Sequence, residues 1–508
     1  MHPRFSWTHV LFSLATLLLA VPLHAQPATD LSLDAVSERI DAVLQRDAYV
    51  GASWGIAVTD VNTGEVLYTH NAEKNFVPAS NAKLLTSAAA LEHLGPDYRY
   101  RTRVYVDGPV RDGTLEGNLI VRGSGDPTLG SSEGDAPPTA VFRAWADSLR
   151  ARGIRHIAGD VVGDDDFIDD TPLGYGWSWD DAPYGYAAEI GGLVFHDNTV
   201  ELRIEGRQPG MPGRLEWMPG NTEYVSVQNR TRTVRGLRRV DESYQRQRGT
   251  NEILAATQLP PGATEREAIT VTNPTLFFTH VLRDVLLDKG ISVQGRPVDV
   301  DAIPIKPSYT AEAMQRVATH VSPPLRRIAA QLNAESLNLY AEQVLRTLGT
   351  APLPNAPPDL ASGTSARGAF AVRSTLARAG VDTSHVTIAD GSGLSRYNLV
   401  SADALVRLLQ YMWAHPDTTM RDAFYESLPV GGKNGTLSYR FRGRDAANGN
   451  VRAKTGTLTG ISALSGFVTS ARGTPLAFAI VCNHHTTSGR TARTGQDVIV
   501  NALARLAQ

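Results

Sequence analysis

The chain of 508 residues contains a single cysteine, Cys482, and few lysines among its 49 basic residues. One cysteine cannot form an internal disulfide, so the stability of the fold must come from packed cores. Because arginine supplies most of the positive charge, a retained lysine can have a task that arginine cannot perform, such as losing its proton. The six lysines are Lys74, Lys83, Lys289, Lys306, Lys433 and Lys454.

The sequence also lacks an excess of charge of either sign and any long apolar run. A net charge of −3 without a polybasic stretch gives no indication of nucleic-acid binding. The apolar run at residues 10–21 follows Arg4 and is too short to span a bilayer. With Leu23-His24-Ala25 before Gln26, it predicts a signal peptide over residues 1–25. We therefore expect export to the periplasm without stable membrane insertion, the alternative being an uncleaved anchor.

The length predicts two to four domains, and the sequence pattern changes twice along the chain. A helical pattern at residues 31–44 and a hairpin at residues 53–69 come first. Strand-like runs separated by turns follow, and helical patterns return after Pro307. We predict a main domain of residues 26–102 and 303–508, an insertion of residues 103–129 and 192–302, and a second insertion, residues 130–191, nested within the first.

The individual elements are predicted from hydrophobic periodicity and turn residues. Strand-like runs occupy residues 102–106, 117–122, 156–162, 199–205, 223–227, 268–271, 464–468 and 476–481. Helical patterns occupy residues 138–152, 275–289, 323–331, 338–348, 370–380 and 402–414. A final helix places Val498, Ala502, Leu503 and Leu506 on one face.

A serine and a lysine stand three residues apart in Pro78-Ala79-Ser80-Asn81-Ala82-Lys83, at the head of an apolar run that ends at Gly95-Pro96. Residues i and i+3 lie one turn apart on the same helix face. A buried lysine can lose its proton and then activate a serine hydroxyl. The pattern indicates a nucleophile and its base on a buried helix, although the pair alone is a weak signal.

Two distant motifs strengthen this interpretation. Ser336-Leu337-Asn338 places a hydroxyl and an amide between two helical patterns, and Lys454-Thr455-Gly456-Thr457 leads into an apolar strand. Lys433-Asn434-Gly435-Thr436 has a similar shape to the second motif, but polar, glycine-rich sequence follows it. We therefore prefer Lys454 for this role.

The order Ser-x-x-Lys, Ser-x-Asn, Lys-Thr-Gly resembles the signature of penicillin-binding proteins and serine β-lactamases. The 256-residue separation of Ser80 and Ser336 exceeds what a β-lactamase needs. A large insertion at this place is similar to the peptidase S13 family, the class C low-molecular-mass D-alanyl-D-alanine carboxypeptidases/endopeptidases. Three further stretches look similar to that family: residues 123–129, Trp179-Asp180-Asp181 and residues 390–395.

The resemblance implies an α+β fold, in which a β-lactamase/transpeptidase-like domain has an antiparallel sheet with helices on both sides and two nested β-rich insertions. It implies peptidoglycan stem peptides as substrate, β-lactam antibiotics as inhibitors, and no cofactor or metal. In the family an aspartate after a tryptophan, and a tyrosine five residues on, contact the free amino end of the stem. Asp181 and Tyr186 fit that spacing, the alternative being that Asp181 is an ordinary loop carboxylate.

The physical roles of the motif residues follow from their chemistry. Ser80 would attack the carbonyl of the penultimate D-Ala, Lys83 would take its proton, and Ser336 could relay that proton to the leaving amine. Asn338 would hold Lys83 or the substrate by hydrogen bonds.

The third motif would bind the other end of the substrate. Lys454 would lower the pKa of Lys83 and, with the hydroxyls of Thr455 and Thr457 on either side of Gly456, bind the terminal carboxylate. The backbone N–H groups of Ser80 and Thr457 would form the oxyanion hole.

Four other features are interpreted as structural. Gly130-Ser131-Ser132-Glu133-Gly134 fits the nucleophile-elbow pattern but has no strand before it. The acidic run at residues 164–170 is predicted to be a solvated turn, and seven arginines at residues 229–248 an exposed β-ribbon face. His484 and His485 are adjacent on a strand, so they point different ways and are a poor metal pair.

Two other functions remain open from the sequence. A β-lactamase would share the three motifs and release penicillin rapidly, whereas a wall peptidase would keep it as a persistent acyl-enzyme. A catalytically silent wall-binding or scaffold protein would not bind labelled penicillin at Ser80 at all.

Overall fold

The computed structural model describes residues 30–131, 136–220 and 222–507. The predicted signal peptide lies outside these residues, as do Ser132, Glu133 and Gly134 of the nucleophile-elbow pattern. Among the described residues, we find no helix with the length and apolar character needed to cross a bilayer.

The described residues form ten α-helices. Their bounds are α1 Leu33–Leu44, α2 Ala82–Leu94, α3 Ala140–Ala151, α4 Pro274–Asp288, α5 Leu325–Ala334, α6 Asn338–Thr350, α7 Ser365–Arg378, α8 Ala402–Trp413, α9 Thr418–Ser427 and α10 Gly489–Leu503.

Twenty-four strands are found in the same residues. They are β1 Ser53–Asp60, β2 Val66–His70, β3 Asn75–Phe76, β4 Arg101–Val106, β5 Val110–Arg111, β6 Thr114–Leu115, β7 Leu119–Arg122, β8 His156–Ile157, β9 Val161–Asp164, β10 Thr199–Glu205, β11 Arg214–Met218, β12 Ser226–Asn229, β13 Arg232–Thr233, β14 Tyr244–Arg246, β15 Glu252–Ala255, β16 Gln258–Leu259, β17 Thr264–Thr270, β18 Ser292–Val293, β19 Pro297–Asp299, β20 Gln315–Val321, β21 Val400–Ser401, β22 Arg452–Leu458, β23 Ile461–Thr469 and β24 Pro475–Asn483.

The main sheet is antiparallel and is built from both ends of the chain, in the order β2-β1-β24-β23-β22. Strand β1 pairs with β24 over its full length, from Ser53 opposite Asn483 to Asp60 opposite Leu476. Strand β22, which carries the Lys-Thr-Gly motif, forms one edge and pairs with β23. The motif therefore lies on an edge strand beside the serine–lysine helix.

Helices cover both faces of this sheet. Successive residues of a strand point to opposite faces, so Ile56 and Val58 pack in one core with α1 and α10. Ala57 and Val481 belong to the second core, which includes α2 and α8. Helix α2 is buried on all sides from Ala82 to Leu91, because small and apolar residues occupy every face.

The segment between α2 and α5 forms all the other sheets except β21-β3, which joins residues before α2 to residues after α7. Strand β4 enters this segment and pairs with the returning strand β20, in a second five-stranded sheet of order β19-β9-β7-β4-β20. Its largest core is centred on Phe142, Phe195 and Phe278. The remaining sheets have the orders β18-β8-β6-β5, β11-β10-β17, β12-β15-β14, β13-β16 and β21-β3.

The architecture matches the predicted α+β class, with helices on both sides of an antiparallel sheet, whereas the domain boundaries stay a prediction. The run at 156–162 is wrong as a single strand. A Cβ at Gly159 would lie 2.5 Å from the carbonyl oxygen of Gly117, and the chain breaks there into β8 and β9, which join different sheets. Leu506 lies beyond the end of α10 and bridges to Leu31.

Candidate active site

The nucleophile candidate, Ser80, lies in a short 3₁₀ turn, Ala79–Asn81, that leads directly into α2. The turn is compressed: Ala79 has φ +47°, an uncommon conformation for a residue with a Cβ atom. Its carbonyl oxygen would lie 1.9 Å from a Cβ at Gly393, and the Ser80 nitrogen 3.1 Å from a Cβ at Gly456. Glycine at both positions therefore lets two other segments approach the serine backbone.

Lys83 is fully buried one turn into the helix, with its ammonium group beside the serine. Its Nζ lies 3.0 Å from Ser80 Oγ, 2.6 Å from Asn338 Oδ1 and 2.7 Å from the carbonyl oxygen of Ser392. Two acceptors thus fix the amine at hydrogen-bond distance from the hydroxyl, which is the geometry that a general base needs.

Burial lowers the pKa of Lys83 to about 7, against the opposing negative charges of Asp390 and Glu342. Desolvation is the largest cause of this shift, and the effect of the Lys454 charge on the pKa of Lys83 stays a prediction. The two buried ammonium groups repel each other, and this repulsion adds to burial in lowering the pKa of Lys454 well below its usual value.

Ser336 and Lys454 form a second pair across the site. Ser336, in the turn between α5 and α6, has φ +63°, and its Oγ accepts from Lys454 Nζ at 2.8 Å. Lys454 is fully buried on β22 and also donates to the Thr455 carbonyl at 3.0 Å. The three motifs, far apart in sequence, therefore meet at one place.

Asn338, the first residue of α6, connects the base to the inserted segment. Its Oδ1 accepts from Lys83, while its Nδ2 donates to the backbone carbonyl of Tyr186 at 2.7 Å. One amide thus contacts both Lys83 and a residue from 130–191.

A cavity of about 770 Å³ opens onto this constellation. Among the residues that line it, Ser80, Ser336, Asn338 and Thr457 belong to the three motifs, and we call this group the inner end. We call a second group of lining residues the outer end: Asp181 and Tyr186 with Trp177, Trp179, Arg396, Tyr397, Leu458 and Thr459. The volume falls in the range of sites for small molecules or peptides.

Comparison with known proteins assigns the family. The sequence model of the D-Ala-D-Ala carboxypeptidase 3 (S13) family matches residues 36–506. The chain belongs to the S13 family. Membership confirms both the family and the enzyme class that the three motifs predicted, a D-Ala-D-Ala carboxypeptidase.

Similar proteins within the S13 family extend over most of the chain. A D-alanyl-D-alanine carboxypeptidase of Actinomadura sp. (strain R39) is 35% identical over 505 residues, 97% of this chain and 88% of the relative. D-alanyl-D-alanine carboxypeptidase DacB of Haemophilus influenzae is 26% identical, covering 89% of each chain. The crystal structure of penicillin binding protein 4 (dacB) from H. influenzae has a TM-score of 0.75 at 24% identity, covering 91% and 98% of the two chains. This likeness confirms the predicted fold class.

Of the three substrate-binding residues that the third motif predicts, Thr455, Gly456 and Thr457, only Thr457 lines the cavity. Thr457 is exposed on the cavity wall. Thr455 instead donates its hydroxyl to Thr436 Oγ1 at 2.9 Å, and Gly456 lies against the turn that carries Ser80. The competing lysine, Lys433, is exposed on a turn rather than buried in a strand, so the geometry favours Lys454.

Asp181 and Tyr186 share a hydrogen bond at the outer end of the cavity. Tyr186 Oη donates to Asp181 Oδ1 at 2.8 Å, and the Tyr186 ring stacks on Tyr184 with a centroid distance of 5.7 Å. The carboxylate is thereby held over the cavity with one oxygen still able to accept.

Sequence reasoning missed several residues that support the site. Trp177 Nε1 donates to the buried Asp390 carboxylate at 2.9 Å, which ties the inserted segment to the turn at residues 390–395. The buried Glu342 accepts from two N–H groups of that turn. Arg396 lines the cavity and donates to the Thr459 carbonyl at 3.0 Å. The stretch at residues 390–395 resembles the S13 family, but nothing in its sequence indicates partners 49 or more residues away.

Two structural interpretations from the sequence need correction. The acidic turn is only partly solvated, because Asp164 is buried against Tyr309 and burial raises the pKa of Asp165 to about 7. Of the seven arginines, Arg246 is mostly buried and donates to Thr270 Oγ1 at 3.1 Å, while the other six are exposed.

Proposed function

We propose that this protein is an exported serine acyl-enzyme peptidase that removes terminal D-Ala from peptidoglycan stem peptides and cuts the cross-bridges between stems. The observation that carries the proposal is the amine of Lys83, held within 3.0 Å of Ser80 Oγ by Asn338 and Ser392. With its pKa lowered to about 7, a substantial fraction of this amine is neutral at physiological pH.

Acylation begins with Ser80 Oγ attacking the carbonyl carbon of the penultimate D-Ala while Lys83 takes the hydroxyl proton. The negative charge that develops on the carbonyl oxygen is stabilised by the N–H groups of Ser80 and Thr457, a type of contact worth about 10²–10³ in rate. The C–N bond then breaks, an ester forms at Ser80, and the departing amine receives a proton through Ser336. Water later hydrolyses the ester and restores the serine.

Recognition of the substrate's terminal carboxylate is assigned to the inner end of the cavity. Lys454 supplies positive charge behind Ser336, and the Thr457 hydroxyl is exposed to the cavity. The Lys83–Lys454 repulsion is relieved when a carboxylate arrives, because an anion between two cations favours both charged forms.

The outer end of the cavity is assigned to the stem's third residue. The Asp181 carboxylate, held by Tyr186, would accept from the free amine of a cationic residue such as meso-diaminopimelate. The same space would admit the second stem of a cross-linked dimer, which is why both carboxypeptidase and endopeptidase activities are proposed.

The decisive experiment incubates the purified protein with defined monomeric and cross-linked muropeptides, followed by mass spectrometry. Loss of one alanine from a pentapeptide monomer reports carboxypeptidase activity, and conversion of dimers to monomers reports endopeptidase activity. Ser80→Ala should abolish both. Unchanged substrates with the wild-type protein would overturn the proposal.

Penicillin binding separates the two rival functions. We expect labelled penicillin to form a persistent ester at Ser80, consistent with the β-lactam complex known for the H. influenzae protein. Rapid turnover of penicillin would instead indicate a β-lactamase, and labelling that persists in Ser80→Ala, or fails in the wild type, would indicate a wall-binding scaffold.

Export to the periplasm is supported by the sequence of residues 1–25. Cell fractionation and mass spectrometry of the mature N-terminus would test it. A mature chain that begins at Gln26 in the periplasmic fraction is the expected result, whereas an intact N-terminus in the membrane fraction would indicate an anchor.

A further inference from the structure

Helix α6 carries three polar side chains on successive turns, at positions i, i+4 and i+8. Asn338 contacts Lys83, and Arg346 lies 3.0 Å from Asp169 Oδ1 in the inserted segment. Glu342 stands between them and is fully buried. Because i and i+4 share a helix face, the three side chains form one row from the catalytic lysine to the insertion.

The carboxylate of Glu342 holds the turn that contacts Lys83. It accepts from the N–H of Gly391 at 3.0 Å and from the N–H of Ser392 at 2.8 Å. The carbonyl of Ser392 accepts from Lys83 Nζ at 2.7 Å. Without this carboxylate, two buried N–H groups would lose their partners, and nothing on α6 would fix the Ser392 carbonyl opposite the lysine.

The opposite side of the same turn is fixed by α2. Thr86, one turn after Lys83 on α2, donates its hydroxyl to the carbonyl of Gly391 at 2.8 Å. A Cβ at Gly391 would lie 2.6 Å from the carbonyl oxygen of Ala341, so the turn rests directly on the α6 backbone. Glu342 and Thr86 therefore hold the turn from two helices.

The charge of Glu342 also acts on the lysine. The groups that face this carboxyl are Lys83 from α2, Asp390 from the turn and Arg346 from its own helix. Burial, followed by the repulsion of Asp390, raises the pKa of Glu342 to about 7, while its N–H donors and Arg346 favour the ionised form. The ionised carboxylate in turn stabilises the ammonium form of Lys83 and opposes the effect of burial.

We propose that Glu342 is a positioning residue for the general base, which aligns Lys83 with Ser80 through the Ser392 carbonyl and sets, by its negative charge, the pH at which Lys83 can accept a proton. This role rests on the acyl-serine function proposed above. Glu342 is buried and is not among the residues that line the cavity, so it acts through the Ser392 carbonyl and through its charge on Lys83.

The test measures the rate constant of acylation by a labelled penicillin from pH 5 to 9, with the full-length protein. The wild-type rate should rise with pH, with a midpoint near neutrality. Glu342→Gln keeps an acceptor oxygen but removes the charge, so Lys83 should lose its proton more readily and the midpoint should move down by at least half a pH unit. Glu342→Asp keeps the charge but shortens the side chain, so the midpoint should stay while the plateau rate falls at least fivefold.

Ser87→Ala is the matched control. Ser87 lies on α2, four residues after Lys83. Its hydroxyl is buried and accepts from Asn333 Nδ2 at 3.1 Å. Its loss should lower the melting temperature without moving the pH profile. This separates an effect on Lys83 from a general loosening of the core.

The outcomes are distinguishable from failure of the proposed function. Absence of acylation in the wild type would reject the acyl-serine function itself. If the wild type is acylated but its pH midpoint coincides with that of Glu342→Gln, the role of Glu342 in the protonation of Lys83 is overturned. If Glu342→Gln is not recovered folded, Glu342→Asp decides: a full wild-type plateau overturns the positioning role.

Discussion

The side-chain amide of Asn338 donates to the backbone carbonyl of Tyr186 across 2.7 Å. Its other end accepts from Lys83, so one side chain joins Lys83 to a segment more than 100 residues earlier in the chain. That segment, which also contributes Asp181 and Tyr186 to the cavity lining, is therefore part of the candidate site. The first prediction follows from this pair of contacts.

Replacing Asn338 with alanine should lower the rate of penicillin acylation by about 10- to 100-fold. The substitution leaves the buried Lys83 amine without its shortest acceptor, and the loss of a partner by a buried group costs about 1–3 kcal/mol. The exposed Tyr186 carbonyl also loses its donor. Stopped-flow acylation kinetics would measure the effect.

Gln343 offers a control on the next residue of the same helix. It donates to the Gly191 carbonyl at 2.8 Å and so also joins α6 to the insertion, but it does not contact Lys83. Gln343→Ala should reduce the melting temperature and leave acylation within about twofold. Equal losses of rate in both variants would contradict the specific role of Asn338.

Substituting Lys454 and Lys433 in turn compares the two motifs that could bind the substrate carboxylate. Lys454→Ala should lower kcat/KM for a D-Ala-D-Ala peptide by at least about 100-fold, because it removes the buried cation assigned to the substrate carboxylate and leaves Ser336 unpaired. Lys433→Ala should have little effect, since this side chain is exposed. The reverse order of the two effects would show that the wrong motif has been assigned.

Asp181 should determine selectivity for a free amine. Asp181→Asn is expected to reduce kcat/KM about three- to tenfold for a peptide with an amine on its third side chain. The same peptide with that amine acetylated should be cleaved equally by the variant and the wild type. Asp180→Asn is the neighbouring control, because Asp180 pairs with Ser178 instead; a similar loss in that variant would indicate a general charge effect.

Gly393→Ala should destabilise the fold and suppress acylation together. The new Cβ would lie 1.9 Å from the Ala79 carbonyl oxygen, and the residue has φ +83°, so the turn bearing Ser80 and the turn bearing Gly393 must move apart. Backbone strain of this kind costs about 1–3 kcal/mol before the clash is counted. Gly473→Ala has a similar φ of +82° but open space around it. Thermal unfolding and penicillin labelling of both variants would separate the effect of the clash from that of the backbone strain. Equal effects in the two variants would contradict a specific role for the Gly393–Ala79 contact.

The elements of the fold were largely predictable because their signals are local. The burial pattern of α8 and the alternating faces of β1 follow directly from the spacing of apolar residues. Helix α9 was missed, although Met420, Ala423, Phe424 and Ser427 are buried at i, i+3, i+4 and i+7 and Asp417 caps its N-terminus. Its polar composition concealed a periodicity that was present.

The site was predictable only as far as its motifs. Ser80, Lys83, Ser336, Asn338 and Lys454 were identified because their chemistry is specific in combination. Their contacts were not, since they depend on how distant segments pack. Glu342 illustrates the limit, because a glutamate inside a helix usually faces solvent. Only the tertiary fold shows that two backbone N–H groups donate to its carboxylate.

The pairing of β1 with β24 has a consequence for the order of folding. Residues 53–60 reach their central place in the main sheet only when residues 476–483 lie beside them. Contacts of such large sequence separation close late and slowly. A nascent chain therefore contains Ser80 early, yet cannot complete the main sheet beside it until nearly all of the chain has been synthesised.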